Sequence, residues 1–174
     1  IEIHEHDGCI LLTGNNGAGK STLLNVICGF LPADEGSVER KEMTIGYLPF
    51  DQPLYPHLSV LENLRYFYRC YLSQRIDQCS SGQIQKAGIA CILLSNADVI
   101  IMDEPFVAID AKSSEKLCEW IQRKKQNQIF LLTSHTTSYI LTLVDRLIVL
   151  DGQELVMDTK QKEEIKDYFF RMDH

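Results

Sequence analysis

Short apolar runs recur along the chain and set the expected fold. They are rich in Ile, Leu and Val, and continuous runs of this length predict strands that are buried on both faces of a sheet. Segments with apolar residues at helical spacing separate several of these runs. The alternation predicts an α/β fold in which a mainly parallel sheet is flanked by helices. The predicted strands are CILLTG, MTIGYL, ADVIIMDE, QIFLLTSH and DRLIVLDG.

Helical spacing of apolar residues predicts the elements between the strands. The first helix follows the first strand, because Leu23, Ile27 and Phe30 or Leu31 have helical spacing. Further helices are predicted at 59–73, 82–95 and 111–126, and at the C-terminus. The apolar stripes of the last two helices are Leu117, Trp120 and Ile121, and Ile165, Tyr168, Phe169 and Met172.

Two local features are predicted between the end of the first helix and the first turn of the second. The segments ADEGSVER and TIGYLP predict a small antiparallel β insert after the first helix. In the helix predicted at 59–73, Ser59 is followed three residues later by Glu62, which is the spacing of a capping box.

Composition narrows the class of protein. The 174 residues are expected to form a single domain, 1–174, with a full hydrophobic core. The chain has 24 acidic and 17 basic residues, a net charge of −7, and proteins that grip nucleic acid usually show a basic face, so no nucleic-acid partner is expected. No apolar run approaches the roughly 20 residues that span a bilayer. The six cysteines are scattered without a C-x-x-C pair, which predicts reduced thiols.

The stretch GNNGAGKS, between the first predicted strand and helix, carries the most specific chemistry. Gly14, Gly19, Lys20 and Ser21 fill the pattern G-x-x-x-x-G-K-[ST] of a phosphate-binding loop. At a strand-to-helix turn, backbone N–H groups and the helix dipole converge on an anion. Lys20 is expected to reach the terminal phosphates of a nucleotide triphosphate, and the Ser21 hydroxyl to ligate Mg²⁺. The expected nucleotide contacts are Gly14, Asn15, Asn16, Gly17, Ala18, Gly19, Lys20, Ser21 and Thr22.

Three further polar residues follow predicted core strands. Asp103 and Glu104 end the strand ADVIIMDE, and His135 ends QIFLLTSH. Ligands of open α/β sheets bind outside the carboxyl ends of the strands, where the phosphate loop also lies. Asp103 is expected to hold Mg²⁺, Glu104 to polarise an attacking water, and His135 to contact the γ-phosphate and that water.

With CSSGQ at a helix start, these motifs resemble the ATP-binding-cassette (ABC) ATPase family. The phosphate loop, CSSGQ, MDEP, VAID and LLTSH occur in the family's order across essentially the whole chain. The resemblance implies that two cassettes dimerise head to tail, with ATP between one phosphate loop and the other subunit's signature. It implies that Ser80, Ser81, Gly82 and Gln83 form the signature. It also implies that Asp110 belongs to the loop that links the two sites and that His135 is the switch histidine.

Several positions depart from the family pattern. Cys79 and Ser81 replace the leucine and first glycine of the signature L-S-G-G-Q. Phe50 stands where the family has a glutamine, so Gln52 is the candidate for that role. The helical subdomain, at about 57–95, is shorter than usual for the family. The aromatic residue that stacks on adenine in the family should precede Ile1, so part of the N-terminus is expected to be absent, and His4 and His6 are expected to be exposed strand residues.

The resemblance also implies a function. It predicts a Mg²⁺-dependent ATPase subunit that drives a transporter through separate integral membrane subunits, as a homodimer or paired cassette. Such a subunit is peripheral at the cytoplasmic face of a membrane, or the matrix face in an organelle. LENLRYFY and DEPFVAID resemble the haem-exporter subunit of cytochrome c maturation, while YLPFDQPLYPHLSV also suits drug, polysaccharide or lipid exporters. The alternatives are a catalytically weak regulatory cassette and a soluble cassette outside transport.

Overall fold

The computed structural model describes residues 1–39, 42–51, 54–63, 76–135 and 137–172. Its strands form one sheet in the order β2-β3-β4-β1-β5-β6. The strands are β1 Cys9–Gly14, β2 Ile45–Leu48, β3 Val99–Met102, β4 Ile129–Thr133, β5 Arg146–Asp151 and β6 Glu154–Thr159. The helices are α1 Lys20–Cys28, α2 Ser81–Leu93, α3 Ala111–Lys124, α4 Thr137–Ile140 and α5 Lys162–Met172, with a 3₁₀ turn at Ile76–Gln78.

The predicted α/β fold with a mainly parallel sheet is confirmed. β1 to β5 run parallel, and β6, which the sequence reading missed, pairs antiparallel with β5. Successive residues of β1 enter opposite core clusters: Cys9 and Leu11 join the cluster that contains α3 and α5, while Ile10 and Leu12 join the one under α1. Burial on both faces explains why the central strands read as continuous apolar runs.

The antiparallel insert predicted after the first helix is wrong. Residues 33–39 form no strand, and Ile45–Leu48 lies parallel to β3, with Ile45 opposite Val99 and Leu48 opposite Met102. Beside β3, this segment pairs its backbone within a large sheet and buries Leu48. An isolated two-stranded hairpin, by comparison, is at best marginally stable.

The first helix ends earlier than its apolar spacing predicts. α1 stops at Cys28 because Gly29 takes a left-handed conformation with φ 82°, and its N–H bonds back to Asn25 and Val26. Phe30 and Leu31 therefore leave the helical stripe, and Phe30 is 67% exposed.

The remaining helix predictions hold where the structure describes them. Leu117 and Ile121 of α3 are buried, and Trp120 packs edge-on against Phe130 of β4 with ring centroids 5.8 Å apart. In α5, Ile165 and Phe169 are buried, while Tyr168 packs against the same cluster.

The capping box predicted at 59–73 is present. Ser59 N donates to Glu62 Oε2 at 2.8 Å, and Glu62 N donates to Ser59 Oγ at 3.1 Å. Residues 64–75 and the side chain of Met172 lie outside the described residues. The prediction of a helix at 59–73 is therefore tested at 59–63 alone, and the helical region predicted at 57–95 is described at 57–63 and 76–95.

Two further observations concern the described residues as a set. No disulfide joins the described cysteines (Cys9, Cys28, Cys79, Cys91 and Cys118) to one another, and Cys70 lies outside the described range. None of the described helices is both long and apolar enough to cross a bilayer.

Candidate active site

The turn between β1 and α1 is a tight backbone loop that depends on glycine. Gly14 and Gly19 have φ values of 144° and 89°, in the region that favours glycine. A Cβ atom at Gly14 would lie 2.0 Å from the carbonyl oxygen of Leu150 on β5, so the two backbones touch there. α1 begins directly after the turn, and its first N–H groups, which lack partners within the helix, point back toward it. This arrangement favours an anion.

Lys20 lies at the start of α1 with its amine turned into the loop. Nζ donates to the carbonyl oxygens of Gly14 at 2.8 Å and Asn15 at 3.0 Å. The residue is only 9% exposed, so the position of the cation is fixed by the surrounding protein. The loop is also tied to the β5–β6 turn, where Asn15 Nδ2 donates to Asp151 Oδ1 at 3.2 Å.

Two carboxylates follow β3, and both residues are buried. Ser21 Oγ donates to Asp103 Oδ2 at 2.7 Å, which joins the carboxyl end of β3 to the first turn of α1. The other oxygen, Asp103 Oδ1, accepts a hydrogen bond from the Thr133 hydroxyl at the end of β4. The serine and the first carboxylate that the sequence singled out are therefore in direct contact.

Glu104 has an unusual backbone and an unusual environment. Its φ is 52°, a left-handed value that is uncommon for residues other than glycine. Burial raises the pKa of its carboxyl, an effect that the neighbouring His135 partly opposes. His135 N donates to Oε2 at 3.3 Å, and His135 Nε2 lies 3.4 Å from Oε1. The histidine side chain is 48% exposed, so it sits between this carboxylate and solvent.

These groups surround one open cavity of about 660 Å³. Two aromatic residues on or after β2 also line it: Tyr47, whose pKa is raised to about 12 by burial and by Asp103, and Phe50, which is 56% exposed. Sequence reasoning missed Tyr47, since only the pairing of β2 with β3 brings it to this edge. The predicted site residues in the lining are Asn16, Gly17, Gly19, Lys20, Ser21, Thr22, Asp103, Glu104 and His135.

The CSSGQ segment forms a second exposed edge, at the start of α2. Ser80 is the N-cap: its Oγ accepts from Gln83 N at 3.3 Å, and Gln83 Oε1 accepts from Ser80 N at 2.8 Å. Ser81 opens the helix and is exposed, whereas a Cβ atom at Gly82 would lie 2.5 Å from the carbonyl oxygen of Ala108. The second of these two positions therefore requires glycine, and the first does not.

The same helix contacts the loop that follows Glu104. Gln85 Nε2 donates to the carbonyl oxygens of Glu104 and Pro105, both at 3.4 Å. Lys86 pairs with Asp110, the N-cap of α3, and this pairing holds the pKa of the Asp110 carboxyl well below its usual range. Among the described residues that line the cavity there is none from Ser80–Gln83.

Two further predictions concern Gln52 and the segment that contains His4 and His6. Gln52 lies outside the described residues. His4 and His6 are exposed as expected, but the strand expected there is wrong, because residues 1–8 contain a turn closed by Asp7 N donating to the His4 carbonyl at 3.0 Å.

The residues present fit a magnesium ion beside a phosphate. Mg²⁺ prefers hard oxygen ligands and is usually held by one or two protein oxygens. Ser21 Oγ and Asp103 Oδ2 line the cavity 2.7 Å apart, next to the cation of Lys20. This donor set matches the chemistry of that ion.

Comparison with known proteins agrees with the motifs. Residues 4–107 match the family described as ABC transporter. The chain is 31% identical to the ribose import ATP-binding protein RbsA of Bacillus subtilis, over 87% of this chain and 39% of RbsA. It is 32% identical to the taurine import ATP-binding protein TauB of Pseudomonas aeruginosa, over 82% of this chain and 66% of TauB.

Solved structures share the fold. A dimeric ATP-binding cassette in a post-hydrolysis state, bound to ADP and phosphate, superposes with a TM-score of 0.78 at 24% identity, covering 92% of this chain and 88% of that one. An ATP-binding cassette of an ABC transporter superposes with a TM-score of 0.77 at 26% identity, covering 98% and 87%. The chain spans 39% of RbsA, 62% of the B. subtilis protein YhaQ and 58% of the B. subtilis resistance protein LnrL.

Proposed function

This chain belongs to the ABC transporter family, and on that premise we propose that it is a subunit that binds and hydrolyses ATP to drive a transporter. The observation that carries the proposal is the 2.7 Å contact between Ser21 and Asp103 behind the glycine loop, with Glu104 beside it. The glycine loop that favours an anion, the two oxygen ligands Ser21 and Asp103, and the candidate base Glu104 therefore all lie at one cavity.

The phosphate loop and Lys20 bind the triphosphate. The N–H groups at the start of α1 donate to its oxygens, and the buried Lys20 amine neutralises the charge that develops on the terminal phosphoryl group. In phosphoryl transfer most of the catalysis is positioning and charge stabilisation of this kind. A cation held by the surrounding protein, as Lys20 is, is suited to that work.

Ser21 and Asp103 are the residues that hold Mg²⁺. The ion supplies charge neutralisation and a template for the phosphate oxygens. The serine hydroxyl and Asp103 Oδ2 are already in contact, so little rearrangement is needed to present both oxygens together. Asp103 thus links the metal to β3 and Ser21 links it to α1.

Glu104 and His135 orient the attacking water. Burial raises the pKa of the Glu104 carboxyl, which makes it a stronger base than an exposed glutamate. His135 is close to both oxygens of that carboxyl and is half-exposed, so it can hydrogen-bond the water or the γ-phosphate from the solvent side.

The signature completes the site in a head-to-tail dimer. Ser80 is exposed at the N-terminus of α2, where a hydroxyl and N–H groups favour an anion. The described residues that line this subunit's own cavity do not include Ser80–Gln83. In this proposal Ser80, Ser81, Gly82 and Gln83 close on the nucleotide of the partner subunit. Asp110 lies in the loop that links the two sites.

Transport is driven through separate integral membrane subunits, with the chain bound peripherally at the cytoplasmic face, or the matrix face in an organelle. The names of RbsA and TauB as import ATP-binding proteins support a transport role.

The test is the Glu104→Gln protein, measured by size-exclusion chromatography with light scattering, with and without ATP and Mg²⁺. Loss of the base should lower turnover about 10²–10⁴-fold while ATP still binds, so that a dimer accumulates only with ATP and Mg²⁺. Glu115→Gln, an exposed residue on α3, is the matched control and should turn over ATP like the wild type.

Two results would contradict the proposal. Normal hydrolysis by Glu104→Gln would remove the assignment of Glu104 as the base. A protein that binds ATP but stays monomeric would instead favour the catalytically weak regulatory cassette. Phe50, which lines the cavity where the family has glutamine, is the observation behind that alternative.

A further inference from the structure

A buried threonine hydroxyl lies between the two carboxylates of the site. Thr133 is the last residue of β4, is fully buried, and is the first polar side chain after four apolar residues of that strand. None of the roles assigned above uses it. A polar group this deeply buried is costly unless it is fully hydrogen-bonded.

The strand register brings Thr133 to its partners. Leu132 of β4 pairs with Met102 of β3, so the next residues, Thr133 and Asp103, lie side by side at the carboxyl ends of the two strands. Thr133 Oγ1 donates to Asp103 Oδ1 and accepts from Glu104 N at 2.8 Å. A hydroxyl has one proton to donate, and here that proton goes to Asp103 while the oxygen accepts from the adjacent residue.

The two hydrogen bonds fix two different things. Asp103 is held at both oxygens, Oδ1 by Thr133 and Oδ2 by Ser21, so its carboxylate plane cannot rotate without breaking a bond. Glu104 is held at its N–H, immediately before the left-handed φ of 52° that sets the direction of its side chain. One hydroxyl from β4 therefore orients both residues after β3.

We infer that Thr133 is a positioning residue for the metal ligand Asp103 and for Glu104. The inference rests on the proposed function, since it assumes that Asp103 binds Mg²⁺. Thr133 itself contacts neither metal nor nucleotide in this account. Its removal leaves every assigned residue in place but frees the carboxylate of Asp103 to rotate.

A purely structural role would have a different signature. A buried hydroxyl that only satisfies its neighbours contributes to folding stability, so its loss lowers the melting temperature and leaves metal affinity unchanged. If Thr133 positions Asp103, loss of the hydroxyl raises the metal concentration at which the protein is half-saturated. The reason is that the carboxylate of Asp103 must then be ordered when the metal binds. Metal affinity with nucleotide bound therefore separates the two roles without reference to turnover.

The experiment compares Thr133→Val, which keeps the side-chain shape, with Thr133→Ser, which keeps the hydroxyl. Free Mn²⁺ is measured by electron paramagnetic resonance as the metal is titrated into protein saturated with a non-hydrolysable ATP analogue. Thr159→Val is the matched control, a buried threonine at the far edge of the sheet, on β6. Melting temperatures and the rate of phosphate release are measured on the same samples.

Thr133→Val should raise the Mn²⁺ concentration at half-saturation about 10–100-fold, as loss of a partner of a metal ligand typically does. Thr133→Ser and Thr159→Val should stay close to the wild-type concentration. Folded Thr133→Val with wild-type metal affinity would overturn the inference. If Thr133→Val does not fold, Thr133→Ala is compared with Thr133→Ser, and equal metal affinity for the two would overturn it. Wild-type protein that binds no Mn²⁺ with the analogue would contradict the proposed function itself.

Discussion

The two edges of the molecule assigned to nucleotide, the phosphate-loop edge and the signature edge, are built in different ways. At the phosphate-loop edge, contacts join residues far apart in sequence: Ser21 reaches Asp103, and Thr133 reaches both carboxylate residues. At the signature edge, the hydrogen bonds of Ser80 and Gln83 span three residues and are exposed. The polar side chains of the first edge are held by neighbouring strands, whereas Ser80 and Gln83 are held by the first turn of their own helix.

This difference predicts how each edge responds to substitution. Buried, cross-strand contacts leave unpaired polar groups behind when one partner is removed, which is expensive. Exposed local contacts are replaced by water at little cost. Similar substitutions on the two edges should therefore have effects of very different size, and the following changes test that expectation.

The largest difference is expected between two lysines. Lys20→Met removes the buried cation that is proposed to bind the triphosphate, so the free energy of ATP binding should weaken by about 2–5 kcal/mol. The carbonyl oxygens of Gly14 and Asn15 also lose their hydrogen-bond donor. Lys86→Met at the signature edge removes a half-exposed partner of Asp110 and should leave ATP affinity of the monomer unchanged. Binding of a fluorescent ATP analogue measures both, and equal losses would contradict the comparison.

Gly82→Ala should have the largest effect on stability at the signature edge. The new Cβ would lie 2.5 Å from the Ala108 carbonyl oxygen, so the backbone must shift, at a cost of about 1–3 kcal/mol. The neighbouring Ser81→Ala is exposed and should be close to neutral. Thermal unfolding of the two variants compares them directly, and an unchanged melting temperature in Gly82→Ala would mean that the loop at Ala108 is free to move.

Ser80→Ala should have a smaller effect. It removes the N-cap of α2 and with it one half of the capping box, which is worth about 1 kcal/mol in the free energy of unfolding. Urea unfolding measures the loss. Gln83→Ala, which removes the other half, provides the companion value, and the double variant should lose less than the sum because the two side chains form one unit.

The smallest effect is expected on the melting temperature when low pH protonates Asp110. The Asp110 pKa is held well below its usual range by Lys86, then by the N–H and hydroxyl of Ser113. A carboxyl with a depressed folded-state pKa stabilises the fold fully above its unfolded pKa of about 3.9 and loses that stabilisation as pH falls further. Asp110→Asn should therefore flatten the fall in melting temperature below about pH 4. An equally steep fall in the variant would contradict the assignment.

The same distinction explains what the sequence could predict. The Ser59–Glu62 box and the glycine-rich turn before Lys20 are local patterns, and both were found where expected. The direction of β2 was mistaken because its partner, β3, lies about fifty residues further along the chain. Thr133 was missed because its role depends on a strand register that no local spacing encodes, although a polar residue ending the apolar run IFLL was the available signal.

The position of Trp120 has a practical consequence. It is the single tryptophan of the chain, and it lies on α3 with its ring edge-on to Phe130. It is not among the described residues that line the cavity at the phosphate loop. Its fluorescence should change when α3 separates from the sheet and stay constant when ligand enters. The protein therefore carries its own unfolding probe, one that reads stability without a label and without interference from the nucleotide.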